Sequence, residues 1–207
     1  MKSVIYTAPK EYSYSATTKE IPVPRKGEVL IRVECAPINP TDLNYLSHIY
    51  NGVYEYPLTP GSEGSGTVIS SGGGFFAWKL VGKRVGFSKK PERAGTFKQP
   101  GAFAEYIVTD AFLCVTLDND TTFEQGASAV VNPMSAIGLL YKCKEYKAAA
   151  VIQTGAAGQV GRMMIQLMRE NRIPLINIVR REEQVQFLKE EYKCEYVLNS
   201  SEPTFEQ

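Results

Sequence analysis

The chain has 207 residues, with 23 Lys and Arg against 22 Asp and Glu and a formal net charge of +1. That balance gives no electrostatic case for nucleic acid or an anionic membrane. The length allows one or two domains with a substantial core, and no apolar run approaches the ~20 residues of a membrane-spanning helix.

The chain opens on Met1–Tyr6, which reads as a strand and not as a signal or transit peptide. A cytosolic address is therefore expected, with the mitochondrial matrix as the alternative. Cys35, Cys114, Cys143 and Cys194 are far apart and form no C-x-x-C pair, a pattern of reducing compartments and not of a disulfide framework. Glu28–Glu34 alternates after the turn Arg25–Gly27 and predicts a strand. Ser65–Ser70, running into the glycines Gly72–Gly74, predicts another, as do Gly82–Phe87 and Ala102–Val108. Short strands divided by Gly, Pro and Asn turns suggest a small β-barrel or sandwich. The run Lys89–Arg93 is of mixed sign and reads as a solvated loop.

From Thr122 the character changes. Phe123–Val131 and Ser135–Tyr141 read as helices, broken by Asn132-Pro133. Strand Ala148–Gln153, helix Gln159–Glu170, strand Leu175–Val179, helix Glu182–Tyr192 and strand Tyr196–Leu198 then alternate. This is the βαβαβ half of a doubly wound parallel sheet.

The turn after the first of those strands carries the pattern of a dinucleotide site. Ala156, Gly158 and Gly161 occupy the three positions of a G-x-G-x-x-G register, with Gln159 and Val160 between the last two. Small residues there let backbone N–H groups at a helix start approach a pyrophosphate. Met163, Met164 and Met168 on the following helix are expected in the core. About 20 residues on, where NAD-binding units place an acid for the ribose 2′-OH, stand Arg180 and Arg181. A guanidinium pair suits the 2′-phosphate of NADP. The alternative is a solvated pair balanced by Glu182 and Glu183.

Asn39–Asn44 (NPTDLN), Pro60–Val68 (PGSEGSGTV), Gly82–Val85 (GKRV), Gly101–Tyr106 (GAFAEY) and Asn132–Ala136 (NPMSA) together resemble the medium-chain dehydrogenase/reductase superfamily. The resemblance is to its zinc-free quinone oxidoreductase-like and mitochondrial enoyl-thioester reductase-like branch, and it spans essentially the whole chain. It implies an α/β protein with a GroES-like, β-rich catalytic domain at 1–118. Residues 119–207 would be the N-terminal half of a Rossmann NADP-binding domain. Zinc-dependent relatives carry Cys where this chain has Asn39 and His where it has Ser62, so no metal site is expected.

The resemblance further implies that Tyr50 faces the nicotinamide and protonates or orients the acceptor, although Tyr45, Tyr54 and Tyr56 show that a tyrosine here fits simple packing as well. Asn39 is implied near the nicotinamide or substrate, and Ser135 near the carboxamide end. His48 is expected in solvent. The implied activity is NADPH-dependent hydride transfer to a small-molecule activated C=C or quinone, without zinc. The alternative is a catalytically silent structural subunit that keeps the fold.

A full dinucleotide fold has strand order 3-2-1-4-5-6, and only the first three strands are legible here. The first would be left with an open edge. The expectation is that the sequence is part of a longer protein, that a homo-oligomer or partner chain completes the sheet, or that the chain is a degenerate scaffold subunit.

Overall fold

Strand β1 (Lys2–Tyr6) pairs antiparallel with β2 (Tyr14–Thr18), Lys2 opposite Thr18 and Tyr6 opposite Tyr14. A computed structural model describes residues 1–7, 14–42, 53–54, 56–91, 96–97, 100–203 and 205, and it divides into two units, Met1–Val131 and Asn132–Gln207. In the first unit, β3 (Glu28–Cys35), β5 (Glu63–Ser71), β6 (Arg84–Ser88), β8 (Tyr106–Asp110) and β9 (Cys114–Thr116) form one antiparallel sheet. Its order is β8-β3-β5-β6-β9, while β4 (Val53–Tyr54) and β7 (Thr96–Phe97) make a separate parallel pair.

Alternation explains the core of this sheet. Val29 and Ile31 of β3 turn inward and meet Val68, Val85, Phe87 and Ile107 from the neighbouring strands. Each such side chain contributes about 1.5–3 kcal/mol on burial. Register shifts at Leu30/Ile31 and Val33/Cys35 bulge the β3–β5 pair and increase its twist. The expected strand Ala102–Val108 starts later, at Tyr106, because Gly101–Phe103 spend their N–H groups on the carbonyls of Thr59, Gly61 and Pro60. Glycines Gly72–Gly74 lead into a short helix, α1 (Phe75–Leu80), that sequence periodicity did not reveal.

Helix α2 (Phe123–Ala127) begins with a capping box: Gln125 N–H donates to Thr122 Oγ1 at 3.2 Å, and Thr122 N–H to Gln125 Oε1 at 2.9 Å. It packs on β3, β5 and β6, so residues past 119 stay with the first unit. Helix α3 (Val131–Glu145) runs straight through Asn132-Pro133, where a break was expected. The interruption falls instead at residues 128–130. Pro133 then lies in the first turn of α3, where its missing N–H has no intrahelical partner to lose.

The second unit holds β10 (Val151–Thr154), α4 (Gln159–Glu170), β11 (Leu175–Val179), α5 (Glu182–Glu190) and β12 (Tyr196–Asn199). The strands are parallel in the order β10-β11-β12, a doubly wound half-sheet. β10 starts three residues after the expected Ala148. Lys147 takes a left-handed φ of 50° and Ala148 N–H donates to Cys143 O at 2.9 Å, a helix-terminating motif that uses up those residues. On α4, Met164 and Met168 are buried with Ala136 of α3, and Met163 packs against them, as their spacing predicts. Ile165 joins Ala156, Val179, Val185 and Leu188 in a second cluster.

Candidate functional site

The β10–α4 turn is built by two glycines with different duties. Gly155 holds φ +63° in open space, a left-handed turn that costs an L residue roughly 1–2 kcal/mol. Gly161 is confined: a Cβ there would stand 2.5 Å from Ala156 O and 2.7 Å from Ala156 Cα. This is the close approach of helix to turn that a third glycine permits. Ala156 is fully buried, so its methyl packs inward and only its backbone lies along the turn. Gly155 therefore does the conformational work that the motif register had assigned to position 156.

Helix α4 begins at Gln159 with Gly158 as an N-cap that has no side-chain oxygen, and no acidic residue occupies its first turn. The leading N–H groups, on Gln159, Val160 and Gly161, are thus left at the positive end of a twelve-residue helix. Beneath them, Gln153 Nε2 donates to Gly161 O at 3.1 Å and to Asn177 Oδ1 at 2.7 Å, which ties the turn to the β10–β11 pair.

A cleft of about 970 Å³ opens beside this turn, lined by Gly155, Ala157 and Gly158 on one side and by Arg180, Arg181 and Gln184 on the other. Arg180 follows β11 directly, and its N–H donates to Gln184 Oε1 at 3.3 Å, while its carbonyl accepts from Ser201 Oγ at 2.8 Å. Arg181 is the N-cap of α5. Both arginines are exposed, and among the described residues neither guanidinium has an ion-pair partner, Glu182 and Glu183 included. Ser200 and Phe205 line the same cleft. Sequence reading missed both, because they lie after the last strand, where no periodicity marks them.

In the first unit, Asn39 is buried within a polar cluster. Its N–H donates to Asp42 Oδ2 at 2.8 Å and its Nδ2 to Glu63 Oε1 at 3.1 Å. Ser62 Oγ donates to Asp42 Oδ1 at 2.6 Å. Glu63 is fully buried, and its Oε2 accepts from Val131 N–H at 2.8 Å and Val130 N–H at 3.4 Å, where α3 begins. The carboxylate thus satisfies backbone donors at the start of α3. The sequence placed Asn39 and Ser62 side by side with zinc positions but missed that Glu63 and Asp42 hold them. Their donors are an amide, a hydroxyl and two carboxylates, already engaged with one another. Among the described residues no three His, Cys, Asp or Glu side chains are grouped to hold a metal. Ser135 is exposed on α3, beside buried Ala136. Tyr50 and His48 lie outside the described residues.

Residues 25–119 match the alcohol dehydrogenase GroES-like domain family. A mitochondrial enoyl-[acyl-carrier-protein] reductase of Caenorhabditis elegans is 32% identical over 191 residues, 91% of this chain and 52% of that protein. The crystal structure of a proposed NADPH:quinone reductase from Mesorhizobium loti superposes with a TM-score of 0.83 at 30% identity, covering all of this chain and 62% of that one. The chain belongs to the medium-chain dehydrogenase/reductase superfamily.

A mycobacterial member of similar structure was solved in complex with NADPH; it is 27% identical with a TM-score of 0.78, over 96% of this chain and 58% of its own. This medium-chain dehydrogenase/reductase chain spans about half the length of the curated relatives it matches. Its GroES-like and Rossmann-like parts are those the motifs implied. No helix among the described residues is long and apolar enough to cross a membrane.

Proposed function

We propose that this chain carries the adenosine-phosphate half of a zinc-independent, NADPH-dependent reductase acting on a small-molecule quinone or activated C=C bond. The observation that carries the reading is the cleft in the second unit. Two arginines without carboxylate partners among the described residues face a glycine turn and an uncapped helix start across it. Backbone N–H groups of Gln159, Val160 and Gly161 suit a pyrophosphate, and Arg180 and Arg181 suit a 2′-phosphate. Bound NADPH would supply a hydride donor. Asn39 would orient the acceptor through its amide, and Tyr50 would deliver or hold the proton; a phenol of ordinary pKa near ~10 can protonate a developing enolate.

Zinc independence is supported by the donor set: Asn39 and Ser62 replace thiolate and imidazole, and both are hydrogen-bonded to carboxylates. The reductase names of the similar proteins favour an enzyme over a silent subunit. NADPH-binding titration, followed by NADPH oxidation with a quinone and with an enoyl thioester, tests the reading. Absence of NADPH binding would remove it.

A further inference from the structure

We propose that the aromatic face of α1 is a docking surface for a lipid bilayer carrying anionic headgroups, contacted at its interface and not spanned. At about 100° per residue, Trp78, Phe75, Lys79 and Phe76 fall in succession on the outer side of α1, while Ala77 faces the core. An outer helix face is ordinarily polar. Here Phe75 is 62% exposed, Phe76 60% and Trp78 65%, and Phe112 from the adjoining turn Ala111–Leu113 is 80% exposed. The Phe76 ring lies 5.1 Å from Phe112 in a tilted contact and 5.8 Å from Phe75 edge-on, between centroids, so these rings form one continuous patch.

Exposure this high describes a convex wedge. A groove for a peptide would shelter its aromatic walls; a wedge of Phe and Trp enters the headgroup–acyl boundary.

The exposed charge beside the wedge is mainly basic; its acidic neighbours, Asp110 before the turn Ala111–Leu113 and Glu28 opposite it on β3, are half-buried and buried respectively. Lys79 Nζ sits 4.4 Å above the Phe75 ring, and Lys83, exposed, lies just beyond the Val81-Gly82 turn that ends α1. Gly27 N–H donates to Gly73 O, and Ala111 N–H to Gly27 O, which brings exposed Arg25 and Lys26 to the rim of the same surface. The nearby carboxylate of Glu28 is already taken by Lys90 and by Arg25 N–H. A net charge of +1 for the chain conceals this local excess. Aromatic rings at the boundary with lysines extending toward headgroups are the chemistry of peripheral contact with anionic lipid.

Trp78 is the sole tryptophan, so its fluorescence reports the patch alone. The full chain is mixed with vesicles of phosphatidylcholine, or of phosphatidylcholine with phosphatidylserine, and followed by emission and co-sedimentation. Binding and a blue shift on the anionic vesicles only, weakened by salt, are expected. Phe76→Ser with Phe112→Ser, which leaves the reporter in place, should weaken binding on the order of tenfold. Lys79→Glu and Lys83→Glu should each weaken it roughly fivefold. The proposal is overturned if neither vesicle shifts the emission, or if both sets of variants bind as the parent does. It is equally overturned by a blue shift that grows with protein concentration without vesicles, which means a second copy covers the patch. The same holds if soluble polyglutamate produces the shift and the vesicles do not, which means an acidic polypeptide does.

Discussion

Asn39 Nδ2 donates to Oε1 of the fully buried Glu63, and this bond fixes which end of the Asn39 amide is committed. The other end, Oδ1, has no protein partner among the described residues, so Asn39 is set to accept a hydrogen bond and not to give one. Glu63→Gln keeps the shape but replaces one acceptor by an NH2. If the new amide oxygen stays on Val131 N–H, its NH2 meets Asn39 and turns that amide over. The expected result is a stability loss of about 1–3 kcal/mol. Turnover should fall on the order of tenfold, with NADPH affinity unchanged. Parallel measurements of chemical denaturation, kcat and NADPH Kd check this; an unaltered kcat would mean that the Asn39 amide orientation does not matter to the reaction.

Arg180 and Arg181 end one wall of the cleft with no ion-pair partner among the described residues. NADPH should therefore bind more tightly than NADH. Arg180→Ala and Arg181→Ala should each weaken NADPH binding roughly tenfold or more while leaving NADH nearly unaffected. Calorimetric titration of both cofactors against parent and variants decides it. Equal affinities, insensitive to the substitutions, would return the arginines to the role of solvated surface charges.

The alternating second unit was legible because each of its strands and helices is an uninterrupted periodic segment, and α4 and β11 fall on their expected residues. Boundaries slipped where backbone hydrogen bonds decide them: Lys147 and Ala148 close α3 and delay β10, and Gly101–Phe103 pair with Thr59–Gly61 before β8 begins. Helix α1 was illegible for a further reason. Its outer face is aromatic, so no apolar stripe separates inside from outside. Asn39 was found by resemblance, but its partners were not. That Glu63, in a glycine-rich strand, would be buried against a helix start 68 residues away depends on tertiary contacts alone.

Gly155 and Gly161 separate conformational need from steric need. Gly161→Ala places a methyl against the backbone of Ala156, which cannot yield as a side chain end can, and should cost about 1–3 kcal/mol and impair nucleotide binding. Gly155→Ala meets open space and should lose only the roughly 1–2 kcal/mol of its left-handed φ. Denaturation curves with NADPH titrations on the two variants test the contrast. A larger nucleotide-binding loss at Gly155 would mean that the turn, not the close helix approach, governs the site.

Glu28 gives an acid-side prediction. Burial raises its pKa, but hydrogen bonds from Lys90 and from Arg25 N–H, with the charges of both residues, outweigh burial and hold the carboxyl below its ordinary 4.5. A folded pKa below the unfolded value contributes stability that is present above the unfolded value and lost as pH falls through the folded one. Glu28→Gln should therefore cost about 1 kcal/mol near neutrality. The difference from the parent should shrink as pH drops below 4.5. Urea midpoints across that range provide the check; a difference that widens toward acid would reverse the assignment.

The last prediction rests on β10, an edge of the three-stranded parallel sheet. Strands of parallel sheets are ordinarily paired on both sides and covered on both faces. Here the outer backbone groups of β10 have no neighbouring strand among the described residues, and Ile152 is 65% exposed in the middle of it. Helix α3 adds to the uncovered area, since Ile137 and Leu139 are also exposed. An unpaired apolar edge recruits another strand or is wetted at a cost. The 207-residue chain is therefore expected to self-associate as its concentration rises, or to bind a partner along β10. Ile152→Lys, which places a charge on the edge without disturbing the β11 side, should return it toward a monomer, as natural edge strands do. Sedimentation velocity over a concentration series distinguishes the outcomes. A parent chain that stays monomeric, with Ile152→Lys indistinguishable from it, would mean that the edge is protected by contacts other than strand pairing.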